Sequence, residues 1–109
     1  MTLSTHVLDT SRGKPAAGIE VVLYALEDGQ RREAARGETN ASGRIASPFG
    51  AELQPGEYEL AFNAGGYFAA SGQRSFFEWI PVRFRIDDAG HYHVPLLMSP
   101  WAYSTYRGS

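Results

Sequence analysis

The run Ile19-Glu20-Val21-Val22-Leu23-Tyr24-Ala25-Leu26 is rich in β-branched side chains and almost continuously apolar, the pattern of a core strand covered on both sides. Asp28-Gly29 behind it is a turn signal, and Gln30 to Thr39 is polar enough for an edge strand or a solvated connection. Upstream, Ser11-Arg12-Gly13-Lys14-Pro15 reads as a turn. Before it, Thr2 to Asp9 alternates, with Leu3, Thr5 and Val7 on one face and Ser4, His6 and Leu8 on the other. Downstream, Asn40-Ala41-Ser42-Gly43 is a further turn with Arg44 immediately after it. Gln54-Pro55-Gly56 then introduces Glu57 to Phe62, which aligns Tyr58, Leu60 and Phe62.

The second half continues in the same style. Asn63 to Gln73 is the best place for a short helix, held to about two turns by Gly65, Gly66 and Gly72. Glu78 to Ile86 sets Ile80, Val82, Phe84 and Ile86 against Arg83 and Arg85, and Pro81 inside it implies an edge or a bulge. Asp87-Asp88-Ala89-Gly90 reads as a hairpin turn into His91 to Met98, where Pro95 again implies an edge or a bulge. Ser99-Pro100 breaks that run, and Trp101 to Tyr106 suits one last strand. Seven or eight short strands at spacings of roughly 8–12 residues make an all-β sandwich or barrel.

Composition narrows the function. The 109 residues fit one domain. A chain of this size buries roughly 60–70% of its unfolded surface, enough for a core but not for a deep internal pocket. A net charge of -2 offers no global basic field for nucleic acid or anionic lipid. The absence of cysteine excludes disulfides, thiolate catalysis, Fe–S clusters and Cys-type zinc sites. The opening stretch carries no basic, apolar leader, and nowhere do ~20 apolar residues follow one another, so a soluble cytoplasmic protein with no membrane partner is expected.

Three histidines, His6, His91 and His93, are the groups left to titrate near neutral pH. His91 and His93 stand two apart on an expected strand and so share a face. They are either ordinary strand histidines near an exposed edge or two metal ligands, with His6 as a third. Arg44, at a turn exit, is either a solvated side chain or a planar fork for carboxylate, enolate or imide oxygens. Tyr103-Ser104-Thr105-Tyr106-Arg107-Gly108-Ser109 carries more aromatic surface than a frayed segment needs, which suggests docking on the core or on another subunit. No phosphate loop, nucleophile elbow or paired-carboxylate spacing is present.

Four stretches together resemble the 5-hydroxyisourate hydrolases, the transthyretin-related proteins of urate breakdown. They are Ser4-Thr5-His6-Val7-Leu8-Asp9-Thr10-Ser11-Arg12-Gly13-Lys14-Pro15-Ala16, Gly43-Arg44, His91-Tyr92-His93-Val94-Pro95-Leu96-Leu97 and the terminal Tyr103 to Ser109. The resemblance implies a single transthyretin-like domain over residues 1–109, a two-sheet β-sandwich with one short helix. It also implies a homotetramer, a dimer of dimers, with active sites in the channel where the dimers face each other. His6, Arg44 and His93 then match the family's catalytic residues, and Tyr106, Arg107, Gly108 and Ser109 its substrate-binding tetrapeptide; His91 only flanks them. The implied reaction opens the small-molecule substrate 5-hydroxyisourate to 2-oxo-4-hydroxy-4-carboxy-5-ureidoimidazoline without a cofactor or metal. The chain departs from the family pattern at Met98, at Trp101-Ala102 and at Ser42.

Overall fold

The computed structural model describes residues 2–45, 49, 53–88 and 90–109. In chain order the elements are β1 (Thr2–Asp9), β2 (Lys14–Pro15), β3 (Glu20–Glu27), β4 (Gln30–Glu38), β5 (Arg44–Ile45), β6 (Gly56–Asn63), α1 (Ala64–Ala70), β7 (Trp79–Ile86), β8 (His91–Met98) and β9 (Tyr103–Thr105). One sheet runs β2-β1-β8-β9, with β5 also paired to β1; the other runs β4-β3-β6-β7. The two sheets form the expected sandwich, and β2 and β5, two residues each, are the pieces too short for sequence periodicity to show.

Alternation sets the faces. Leu3 and Val7 of β1, Val21 and Leu23 of β3, Leu60 and Phe62 of β6, Ile80 and Ile86 of β7, and Leu96 and Met98 of β8 are all fully buried between the sheets. Each such side chain contributes about 1.5–3 kcal/mol when taken out of water. The helix caps one end of this core with Phe68, which is fully buried. It starts where the Asn63 side chain accepts the Gly66 N–H, and stops after seven residues where the Ser71 N–H returns to the Phe68 carbonyl.

The outer face of β3 is covered differently from the expectation of a strand buried on both sides. Val22 is buried there, but Tyr24 lies under the Arg31 guanidinium, 4.3 Å from its ring centroid. The cover is therefore made of arginine stems and ion pairs rather than a second apolar layer.

Two expectations are corrected. Asp87 to Gly90 is not a hairpin turn. β7 lies at the edge of the second sheet, while β8 lies inside the first, paired in parallel to β1 and antiparallel to β9. The segment carries the chain from sheet to sheet, and Tyr92 braces it by accepting the Asp87 and Asp88 N–H groups and donating to the Asp88 carboxylate. Local turn chemistry cannot distinguish a crossover from a hairpin. Pro81 does sit on an edge strand, but Pro95 is on an interior one with no register shift against β1. β8 pairs with β9 from Leu96 to Met98, lapses at Pro95, which has no N–H to give, and resumes in the same register at His93 opposite Gly108.

Candidate active site

The site is assembled by strand register. In the parallel β1–β8 pair Ser4 stands opposite His93, and in the antiparallel β1–β5 pair His6 stands opposite Arg44. Registered partners share a face, so His6, Arg44 and His93 point out of the same side of the first sheet, away from the core. His6 and His93 are half-buried and Arg44 is exposed.

A turn of defined geometry delivers Arg44. The Asn40 side chain accepts the N–H groups of Ser42 and Arg44 at 2.9 and 3.1 Å, and the Gly43 carbonyl accepts the Val7 N–H at 2.7 Å. Gly43 has φ +75°, and a Cβ there would lie 2.5 Å from the Val7 carbonyl oxygen. Only glycine satisfies both the backbone angle and the approach. Gly43→Ala is expected to lower stability by about 1–3 kcal/mol and to reduce any activity that needs Arg44 beside His6. Urea unfolding and a turnover assay on the same sample check this, and wild-type behaviour in both would refute it.

The terminal tetrapeptide reaches the site from the other side. The Gly108 N–H donates to the His93 carbonyl at 2.7 Å, and a Cβ on Gly108 would lie 2.6 Å from Cδ2 of the His93 ring. Gly108 is thus the flank against which the imidazole rests. Tyr106 continues the same register opposite Pro95, so it faces the histidine side and is exposed. Arg107 turns the opposite way. Its guanidinium lies over the Tyr92 ring at 4.4 Å, in a separate groove of about 270 Å³ that also holds Val82, Phe84 and Thr105. Ser109 is exposed next to Gly108. The structure therefore brings His6, Arg44, His93, Tyr106 and Gly108 to one face and places Arg107 outside it.

Sequence reasoning passed over Ser4 and Thr2. Ser4 Oγ lies 2.7 Å from His93 Nδ1 and 2.9 Å from His91 Nε2, and Thr2 Oγ1 lies 2.6 Å from His91 Nδ1. The two imidazoles run nearly parallel, at an interplanar angle of 16° with centroids 6.5 Å apart. The available signal was the period of two: Thr2 and Ser4 share the outward face with His6. Among the described residues no group of three or more His, Asp or Glu has metal-binding geometry, and both ring nitrogens of His91 are occupied by hydroxyls.

Electrostatics favour a neutral His93 at pH 7. Burial, and then the positive charges of Arg44, His91 and His6, hold it below the usual 6.5, against an opposing hydrogen bond with the Ser4 backbone. A neutral imidazole beside a guanidinium, open to water on an outer face, can take a proton from water while the cation steadies negative charge.

Comparisons with known proteins converge on one group. The family model described as the HIUase/transthyretin family matches residues 3–108. A 5-hydroxyisourate hydrolase of Mesorhizobium japonicum is 50% identical over 113 aligned positions, covering 98% of this chain and 91% of that protein. The solved 5-hydroxyisourate hydrolase of Klebsiella pneumoniae superposes with a TM-score of 0.87 at 44% identity, covering 100% of both chains. Sea bream transthyretin, solved with thyroxine, superposes with a TM-score of 0.92 at 29% identity, covering 99% of this chain and 95% of that one.

Proposed function

The chain belongs to the HIUase/transthyretin family and is a hydrolase, and we propose that it opens 5-hydroxyisourate to 2-oxo-4-hydroxy-4-carboxy-5-ureidoimidazoline. The observation that carries this reading is the convergence of His6, Arg44 and His93 on one outward face, closed on one side by Gly108. Backbone similarity does not choose between a hydrolase and a hormone carrier, since both superpose closely. The side chains support the hydrolytic reading, because a carrier has no need of a neutral imidazole on the same face as an arginine.

Hydrolysis of a cyclic amide needs an activated water, a counter-charge for the carbonyl oxygen and a proton for the leaving nitrogen. His93 and His6 share the first and last of these tasks: one imidazole takes a proton from water as the new C–O bond forms. An imidazolium then returns a proton to the ring nitrogen as the C–N bond breaks. Arg44 binds the substrate oxygens and stabilises the negative charge that develops on them. Tyr106, Gly108 and Ser109 border the substrate, and no metal or cofactor takes part. The direct test generates 5-hydroxyisourate from urate with urate oxidase and follows its ultraviolet decay. Added protein should speed the decay, and an unchanged spontaneous rate would remove the assignment. Exhaustive EDTA dialysis should leave the rate as it was.

The same face implies assembly. In one protomer the histidines lie on an open sheet surface, where water would compete with every polar contact. A second copy laid against that surface would enclose the substrate, which supports a homotetramer built from two dimers with sites where the dimers meet. The outer face of the other sheet is less suited to pairing. There Glu59 is gripped by Arg31 and Arg83 at 3.0 Å each, Arg85 meets Glu57, and Arg36 meets Glu20 and Glu33, so its charges are already matched in water. Light scattering should report about four times the 12.0 kDa protomer mass. A stable monomer with full activity would contradict the shared site.

A further inference from the structure

The hydroxyl of Ser4 sits between two imidazoles and makes hydrogen-bond distance to both, which is more than strand pairing requires. A serine hydroxyl has one proton, so when it gives that proton to one ring it accepts from the other. Two directions are open to the chain of groups. In one, His93 donates from Nδ1 to Ser4, Ser4 donates to His91 Nε2, and His91 donates from Nδ1 to Thr2 Oγ1. In the other every bond is reversed, and His93 is left with its proton on Nε2.

Two observations select the first direction. Strand register puts the Arg44 cation on the same outward face as the His93 ring, and a positive field there favours a lone pair over an N–H at the nitrogen that the chain leaves open. Thr2 Oγ1, 2.6 Å from His91 Nδ1 at an exposed position, can accept from the ring and turn its own proton to water. We propose that Ser4 and His91 are positioning residues: the chain Thr2–His91–Ser4 holds His93 as its Nδ1–H tautomer and presents Nε2, unprotonated, as the base. This rests on the hydrolytic reading of the site and says which atom of which histidine takes the proton from water. Ser4 then does for His93 what a buried carboxylate does in other hydrolytic sites, but without adding a charge.

The groups that set the proton affinity of His93 come from each neighbouring element. They are His6 and the Ser4 backbone on β1, Arg44 on β5 and His91 on β8, while Gly108 in the segment following β9 flanks the ring. Removing His91 takes away a neighbouring cation, so the acid limb of the pH–rate profile moves to higher pH. A purely structural role for His91 would leave the limb where it is.

The experiment has two arms. Imidazole 15N correlation spectra of the wild-type protein near pH 7 should show His93 protonated at Nδ1; protonation at Nε2 would overturn the proposal whatever the activity. In turnover assays Ser4→Ala should lower kcat by about 10–100-fold, part of the ~10²–10⁴ that a positioned base supplies, with KM within about threefold of wild type. Ser4→Thr, which keeps the hydroxyl, should restore most of kcat. His91→Gln should lower kcat by less and move the acid limb upward. Full kcat in Ser4→Ala, or no rescue by Ser4→Thr, would count against the proposal. A wild-type chain that leaves 5-hydroxyisourate untouched but shows the Nδ1–H tautomer would remove the substrate and leave the hydrogen-bond chain standing.

Discussion

His93→Ala should reduce turnover of 5-hydroxyisourate by about 10²–10⁴, to near the spontaneous rate, while leaving the fold intact. The fold should survive because His93 is half-buried on the outward face of β8, and its backbone bond to Gly108 does not need the ring. The core neighbours on that strand, Tyr92, Val94 and Leu96, point the other way. The chemical loss should be large because both proton-transfer tasks would then fall to His6 alone. His91 has both nitrogens engaged, and Arg44 has no acceptor to offer. The wild-type pH profile adds a signed test. His93 is held below 6.5, first by burial and then by Arg44. The rate should therefore climb with pH through a midpoint below 6.5, since the working form is the deprotonated ring. Arg44→Ala should also fall steeply, and Arg44→Lys should recover only part, because it keeps the charge and loses the planar fork. A His93→Ala protein that keeps about a tenth or more of wild-type kcat would move the base elsewhere.

The parts of this arrangement that could be read from the sequence are those written in local chemistry. Alternation in Thr2 to Asp9 placed His6 outward because its neighbours Thr5 and Val7 are buried. The short helix fell within the expected Asn63 to Gln73, though Gly65 and Gly66 lie inside it rather than at its ends, and proline on β7 marked an edge. Register between distant strands is another matter. Nothing near His93 in the chain says that Ser4 will stand opposite it, because that pairing joins two strands of one sheet that lie 89 positions apart in the chain. The same holds for Arg107. Its motif travels as a block with Tyr106 and Gly108, yet alternation along an extended segment sends it to the other side, onto Tyr92. Asp87 to Gly90 misled for the same reason, since a turn signal records a bend and not the sheet that receives the next strand.

Asp9 is where the protein should be most sensitive in stability. Its side chain is fully buried at the end of β1, three residues from His6, yet it carries a carboxylate. Burial pushes the pKa of Asp9 up, but the hydrogen bonds outweigh it: Ser11 gives both hydroxyl and N–H, Tyr67 its hydroxyl, and Arg12 its N–H, and the net effect is a pKa below the usual 3.8. The distances are 2.6 Å from Ser11 Oγ, 3.0 Å from Ser11 N and 2.9 Å from the Tyr67 hydroxyl. Arg12 then reaches on to Ser71 and Gln73, at 2.6 and 2.7 Å, so one carboxylate fastens the turn after β1 to the helix and the segment behind it. Asp9→Ala would strand these donors in a dry site and should destabilise the protein by about 3–5 kcal/mol, a fall of about 1–3 M in the urea midpoint at fixed protein concentration. Asp9→Asn keeps one acceptor oxygen but turns an amide N–H toward the Tyr67 hydroxyl and the Arg12 guanidinium, for a smaller loss of about 1–3 kcal/mol. The pH dependence has a fixed sign. A carboxylate whose folded pKa is depressed stabilises fully above its unfolded value and loses that contribution as pH falls through the folded one. The gap between wild type and Asp9→Asn should therefore be widest near neutral pH and shrink below about pH 4. A gap that stays constant down to pH 2 would mean that Asp9 acts by shape alone and not as an anion.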